Sequence, residues 1–144
     1  MKLTIHIALF ITLSIAGCNG SKNAIAMITP EALNGTWTLD EIPGAKSGLA
    51  ELYPDKKPSI TFDAANLKIN GYTGCNNFNG PFKIDGAMID LSSPLAMTRM
   101  MCPGDGESTF VKTLQNANGW TVRDNTLRLM TGDMVVMKLS KLVQ

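Results

Sequence analysis

The chain has 144 residues, with 13 Lys and Arg against 12 Asp and Glu, one His and three Cys, for a formal charge of +1. That length suits one domain, and a balanced charge without a Lys/Arg cluster sets up no field for nucleic acid or an anionic membrane surface, so no nucleic-acid partner is expected. With 44% hydrophobic and 17% charged residues, the chain is too apolar for disorder and predicts a packed core.

Met1-Lys2 supplies one positive charge, and Leu3 to Ala16 is an apolar stretch interrupted by Thr4, His6, Thr12 and Ser14. It is shorter than the ~20 apolar residues of a permanent span and ends in small residues, as a secretory signal does. Ile15-Ala16-Gly17-Cys18 resembles the lipobox of bacterial lipoproteins, which implies cleavage after residue 17 and lipidation of Cys18. Two or more acyl chains give stable attachment, because each buried methylene contributes roughly 0.8 kcal/mol and one chain is marginal. Asn19, rather than Asp, follows the cysteine and points to the outer membrane, facing the periplasm. Removing residues 1–17 also removes His6, leaving no histidine for a Ser-His-Asp or Cys-His system or for a histidine-bearing zinc site.

Residues 18–32 read as a lipidated tether, with Gly20-Ser21-Lys22-Asn23 suited to a flexible linker, and residues 33–142 as the folded domain. Trp37 and Leu39, then Ile60 and Phe62, then Leu67 and Ile69 alternate with polar residues, which predicts half-buried strands. Asp63 to Asn66 makes the second and third a hairpin. Phe82 and Ile84 precede Asp85-Gly86 and Ala87 to Leu91, another hairpin, with positive φ expected at both turn positions. Phe110, Val111, Leu114 and Ala117 predict one helix, from Asp105 or Gly106 to the stop at Asn118-Gly119. Trp120 with Val122, Leu127 with Leu129, and Met134 to Leu139 then form a three-strand meander across Asp124-Asn125 and Thr131-Gly132-Asp133. About seven strands and one helix make a mostly β, antiparallel α+β or small-barrel domain. Pro43–Pro58 and Ser92–Gly104 remain irregular, where binding function concentrates.

The segment Gly71-Tyr72-Thr73-Gly74-Cys75-Asn76-Asn77-Phe78-Asn79-Gly80, with Gly35-Thr36-Trp37 upstream and Met97-Thr98-Arg99-Met100-Met101-Cys102, Glu107 and Phe110 downstream, resembles the META domain family in its HslJ-like lipoprotein branch. The match is collinear over about Leu33 to Leu139; Met101 departs from the Ala common in members. The resemblance implies a compact, barrel-like β-rich fold packed with a helix, display on bacterial envelope lipoproteins and an association with heat stress and antibiotic tolerance. It carries over no catalytic residues.

With Cys18 assigned to lipid, Cys75 and Cys102 form an even pair in an oxidising compartment. A disulfide is the leading reading, ahead of two buried reduced thiols or a reactive cysteine, for which Arg99 is the nearest cation in sequence. Met97, Met100, Met101 and Cys102 carry soft ligands that suit Cu(I), but methionines recur along the chain as ordinary core fillers, so no metal or cofactor is expected. The carboxylate pairs Asp40/Glu41, Asp85/Asp90 and Asp105/Glu107 read as structural. Thr73, Asn76, Asn77 and Asn79 form a polar turn and, with Thr98 and Arg99, are the candidate binding surface. Trp37, Phe62, Phe82 and Trp120 read as core. The expected function is non-enzymatic: binding of an envelope protein or a ligand in stress tolerance or envelope maintenance. A binder of a small apolar compound in a barrel pocket is the alternative, and a hydrolase using Cys or carboxylates comes third.

Overall fold

A computed structural model describes residues 29–142; the signal segment, Cys18 and most of the tether lie outside the described residues. The folded part begins with a short 3-10 turn at Pro30–Leu33, slightly before the expected start, because Leu33 is fully buried. The indole N–H of Trp37 donates to the Leu33 carbonyl at 2.7 Å and pins this turn to the core.

Ten strands follow: β1 (Gly35–Glu41), β2 (Ser59–Asp63), β3 (Lys68–Tyr72), β4 (Asn77–Pro81), β5 (Lys83–Asp85), β6 (Met88–Asp90), β7 (Ala96–Met97), β8 (Gly119–Arg123), β9 (Thr126–Thr131) and β10 (Met134–Lys141). The helices are α1 (Leu49–Leu52) and α2 (Gly106–Asn116). All strands join one antiparallel sheet in the order β5-β6-β8-β9-β10-β1-β2-β3-β4-β7, curled around α2 as a half-barrel with β5 and β7 as its two edges. The mostly β, antiparallel class is as the sequence predicts.

Register explains the core. Val122, Leu127, Leu139 and Leu39 stand opposite one another in a row across β8, β9, β10 and β1. A second row runs Trp37, Ile60, Gly71, Phe78 and Met97 across β1, β2, β3, β4 and β7. Gly71 has no side chain because Phe78 fills its place: a Cβ there would lie 2.9 Å from the Phe78 ring and 2.1 Å from the Ser59 carbonyl. Phe78 in turn faces Phe110 of α2 at 6.0 Å between ring centroids, and Phe62 meets Phe82 edge-on at 5.4 Å. The interior of the curl is thus occupied by the chain's own side chains, Trp37, Phe62, Phe82, Phe110 and Trp120 being the largest.

The turns follow local chemistry. Asp124 and Asn125 both take positive φ, as a two-residue type I′ hairpin requires. At the β5–β6 hairpin only Gly86 does so, with Ala87 as the second turn residue, which corrects the expectation of two left-handed positions. Leu67 belongs to the β2–β3 turn, at positive φ and 42% exposed, and not to the buried face of a strand. The Asp63 carboxylate holds that turn by accepting from the Asn66 side-chain amide and backbone N–H, bonds that lower its pKa.

The expected seven or so strands become ten chiefly because β4 and β7 sit in segments read as turn and loop. Gly71→Ala is predicted to destabilise the domain by about 1–3 kcal/mol through overpacking, whereas Gly48→Ala, with open space around the position, stays within about 0.5 kcal/mol. Urea unfolding of both variants measures the difference.

Candidate functional site

The motif segment folds into a tight turn between β3 and β4. The Thr73 N–H donates to the Asn76 carbonyl at 2.8 Å, and Thr73 Oγ1 accepts from the Asn76 N–H at 2.9 Å. Thr73 is fully buried and Asn76 is 1% exposed. Neither belongs to a surface, which corrects their assignment as binding residues: both are consumed in holding segments together.

Asn76 is the junction. Its Oδ1 accepts from Thr98 Oγ1 and from the Met100 N–H, each at 2.8 Å. Its Nδ2 faces the Met100 carbonyl at 3.1 Å, Cys102 Sγ at 3.1 Å and Glu107 Oε1 at 3.3 Å. Glu107 stands in the first turn of α2, where the helix N-terminus favours a negative charge, and its Oε2 accepts from Thr73 Oγ1 at 2.6 Å. One side chain therefore ties the β3–β4 turn to the Thr98–Cys102 loop and to the start of α2. The Cys75–Cys102 disulfide ties the same turn to the same loop covalently, with Cα atoms 5.9 Å apart. The leading reading of the cysteine pair holds.

Cys75, Cys102 and Glu107 place ligand-type atoms within 4.8 Å of one another, but the disulfide uses both sulfurs and leaves no thiolate to bind a soft cation or act as a nucleophile. Met100 and Met101 point to solvent, 59% and 99% exposed. Of the carboxylates, Asp90 has its pKa lowered to about 2, first by the Ser92 hydroxyl and N–H and then by Lys83, so it anchors the β6 end. Asp40 accepts from Ser140 and Glu41 pairs with Lys138 across β1 and β10. These contacts give Asp40, Glu41 and Asp90 structural roles.

Sequence reading missed Tyr53, a lone aromatic in the Pro43–Pro58 segment. It is buried just after α1, wedged between two glycines: a Cβ on Gly74 would lie 2.4 Å from its ring and one on Gly106 3.0 Å. Its hydroxyl donates to the Gly106 carbonyl at 2.8 Å, and burial pushes its pKa up to about 12. Tyr53 thus seats the beginning of α2 against the turn.

The exposed residues of the candidate surface are Asn77, Asn79, Thr98 and Arg99. Asn77 and Thr98 exchange bonds, the Thr98 N–H donating to the Asn77 carbonyl and the Asn77 N–H to Thr98 Oγ1, both at 3.0 Å. Asn79 stands between Asn70 and Ala96 on the sheet face. Arg99 belongs to none of the ion pairs among the described residues. A shallow cleft of about 360 Å³ has Leu95, Met97 and Met100 as its apolar lining and Asn76, Thr98, Arg99 and Glu107 as its polar lining. A larger open groove of about 650 Å³ runs between the β5–β6 hairpin and the C-terminal end of α2.

Asn76→Ala is predicted to cost about 2–3 kcal/mol, because it removes several part-buried hydrogen bonds of both amide atoms at once; urea unfolding measures the loss with the disulfide intact. Replacing both Cys75 and Cys102 by Ala costs at most about 3.6 kcal/mol on the chain-entropy model. For Tyr53 the folded pKa exceeds the unfolded one, so its contribution is complete below pH ~10 and is lost as pH rises toward 12. Unfolding measured across that range should show this loss in the native chain and a smaller one in Tyr53→Phe.

Comparison with known proteins supports the architecture. A solution structure of a protein from Burkholderia xenovorans is similar over 89% of this chain and 99% of its own, with TM-score 0.57 and 17% identity. A crystal structure of a DUF4847 family protein from Bacteroides vulgatus is similar over 78% of this chain and 95% of its own, with TM-score 0.53 and 16% identity. At such identities the likeness is one of fold. No curated protein matches the chain. The META domain model matches residues 30–144, which spans every element from the Trp37 anchor through the Asn76 junction to β10, and the chain belongs to the META domain family.

Proposed function

We propose that the chain is a bacterial envelope lipoprotein, anchored through Cys18, that works without catalysis by presenting the Thr98–Met101 loop and the adjoining β4–β7 edge to an envelope partner. The role would lie in stress tolerance or envelope maintenance. The observation that carries this reading is the inward use of the motif: Thr73, Asn76, Glu107 and both cysteines are bound to one another. What that clamp leaves outside, in a fixed position, is Asn77, Asn79, Thr98, Arg99, Met100 and Met101. Such an arrangement favours presentation of a surface over chemistry at the motif, and ranks a hydrolase last.

The apolar-compound alternative moves outward. Aromatic and aliphatic side chains fill the inside of the curl, so a small molecule would use the open groove near Ile84, Met88, Ile89 and Ala117. That groove carries the second reading.

Envelope fractionation and crosslinking of the acylated protein test the proposal. Wild type should sediment with membranes and crosslink a partner from Arg99, and Cys18→Ser should release the protein into the soluble periplasmic fraction. Membrane attachment independent of Cys18 would refute the lipoprotein reading.

A further inference from the structure

The two edges of the sheet are not equivalent. At β5 the edge is charged, with exposed Lys83 and Asp85 and an ion pair from Lys83 to Asp90. Charged side chains on an edge oppose pairing with another chain. At β7 the residues are Ala96 and Met97, continued by Thr98, Arg99, Met100 and Met101.

The register shows which backbone groups β7 offers. Thr98 stands against Asn77 and its N–H donates to the Asn77 carbonyl, so Thr98 and Ala96 direct their backbone groups to β4. In an antiparallel ladder the residue between them directs its N–H and C=O the other way. Met97 therefore offers both groups on the open side. The strand ends at Met97, and the loop that follows is tied down: Asn76 Oδ1 holds the Thr98 hydroxyl and the Met100 N–H, and the disulfide holds Cys102. The short edge is held in place before any partner arrives, which lowers the ordering cost of binding.

Side chains add a selective element. Leu95, Met97 and Arg99 line the same shallow cleft, whose far wall is Glu107 on α2. Glu107 is engaged by Thr73 and Asn76, whereas Arg99 belongs to none of the ion pairs among the described residues. A strand laid along β7 would set apolar side chains against Leu95 and Met97 and one side chain against the Arg99 guanidinium.

We propose that β7 is a strand-addition site: an extended partner segment pairs antiparallel or parallel with Met97 and places an acidic side chain against Arg99, with neighbouring apolar side chains in the cleft. This rests on the partner-binding reading and names the mode of recognition. Main-chain pairing supplies the fit, and Arg99 the choice of charge.

The test uses the folded chain with its disulfide intact and two capped peptides alternating Val and Thr, one with a central Glu and the other with Lys. Titration followed by amide NMR and hydrogen exchange should show saturable binding, new protection of the Met97 N–H, and tighter binding of the Glu peptide by about two- to fivefold, the range of one exposed ion pair. Arg99→Glu should reverse that preference while leaving the fold unchanged, and Met97→Pro, which removes the N–H, should abolish binding. Binding mapped to β5 or to the groove beside α2, equal affinity for the two peptides, or pairing of β7 with a second copy of the chain would overturn the proposal. So would the absence of saturable binding. A partner crosslinked in the envelope from a surface other than β7 would refute strand addition and leave the partner-binding reading standing, whereas absence of any crosslinked partner would refute that reading itself.

Discussion

The Asn76 side chain joins the β3–β4 turn to two neighbouring pieces of chain that lie far along the sequence, the loop that carries β7 and the first turn of α2. Its amide reaches Thr98, Met100, Cys102 and Glu107 while almost wholly buried. A buried amide is costly unless satisfied, so the three segments must close around it together. The disulfide adds a second tie across the same gap, and Tyr53 a third contact between turn and helix. Without that closure β7 would lose its position beside β4, because two residues of strand supply little pairing of their own.

Closure at this corner also sets the helix on the sheet. Glu107 and Gly106 fix where α2 begins, and from there Phe110 and Leu114 fall on the inner face, Phe110 against Phe78. The row from Trp37 through Ile60, Gly71 and Phe78 to Met97 then runs without a gap from the centre of the sheet to its edge. Packing and polar closure thus meet at β4, whose Phe78 points in and whose Asn77 and Asn79 point out.

Much of this was legible in the residues. Alternation at Trp37/Leu39, Ile60/Phe62, Trp120/Val122 and Leu127/Leu129 marks strands because one face of each is buried, and Phe110, Leu114 and Ala117 mark the helix because each faces the sheet. The β4 strand was hidden by its composition: Asn77, Asn79, Gly80 and Pro81 are turn formers, and Phe78 alone faces the core. A Cβ on Gly80 would lie 2.7 Å from the Leu95 methyl end, so any larger residue there makes Leu95 shift. The burial of Thr73 and Asn76 was hidden for another reason. Their polarity suits a solvated turn, and the groups that satisfy them come from Thr98 to Glu107, far along the chain. The cysteine pair was the one long-range link that counting could propose.

The motif acts as a clamp that holds the β7 edge in place, and native-state hydrogen exchange reads that clamp residue by residue. With the disulfide kept intact, Asn76→Ala should speed exchange of the Thr98 and Met100 amides well beyond that of β9 and β10, which lie across the sheet. Uniform acceleration throughout the domain, or unchanged protection at Thr98 and Met100, would mean that Asn76 does not hold β7.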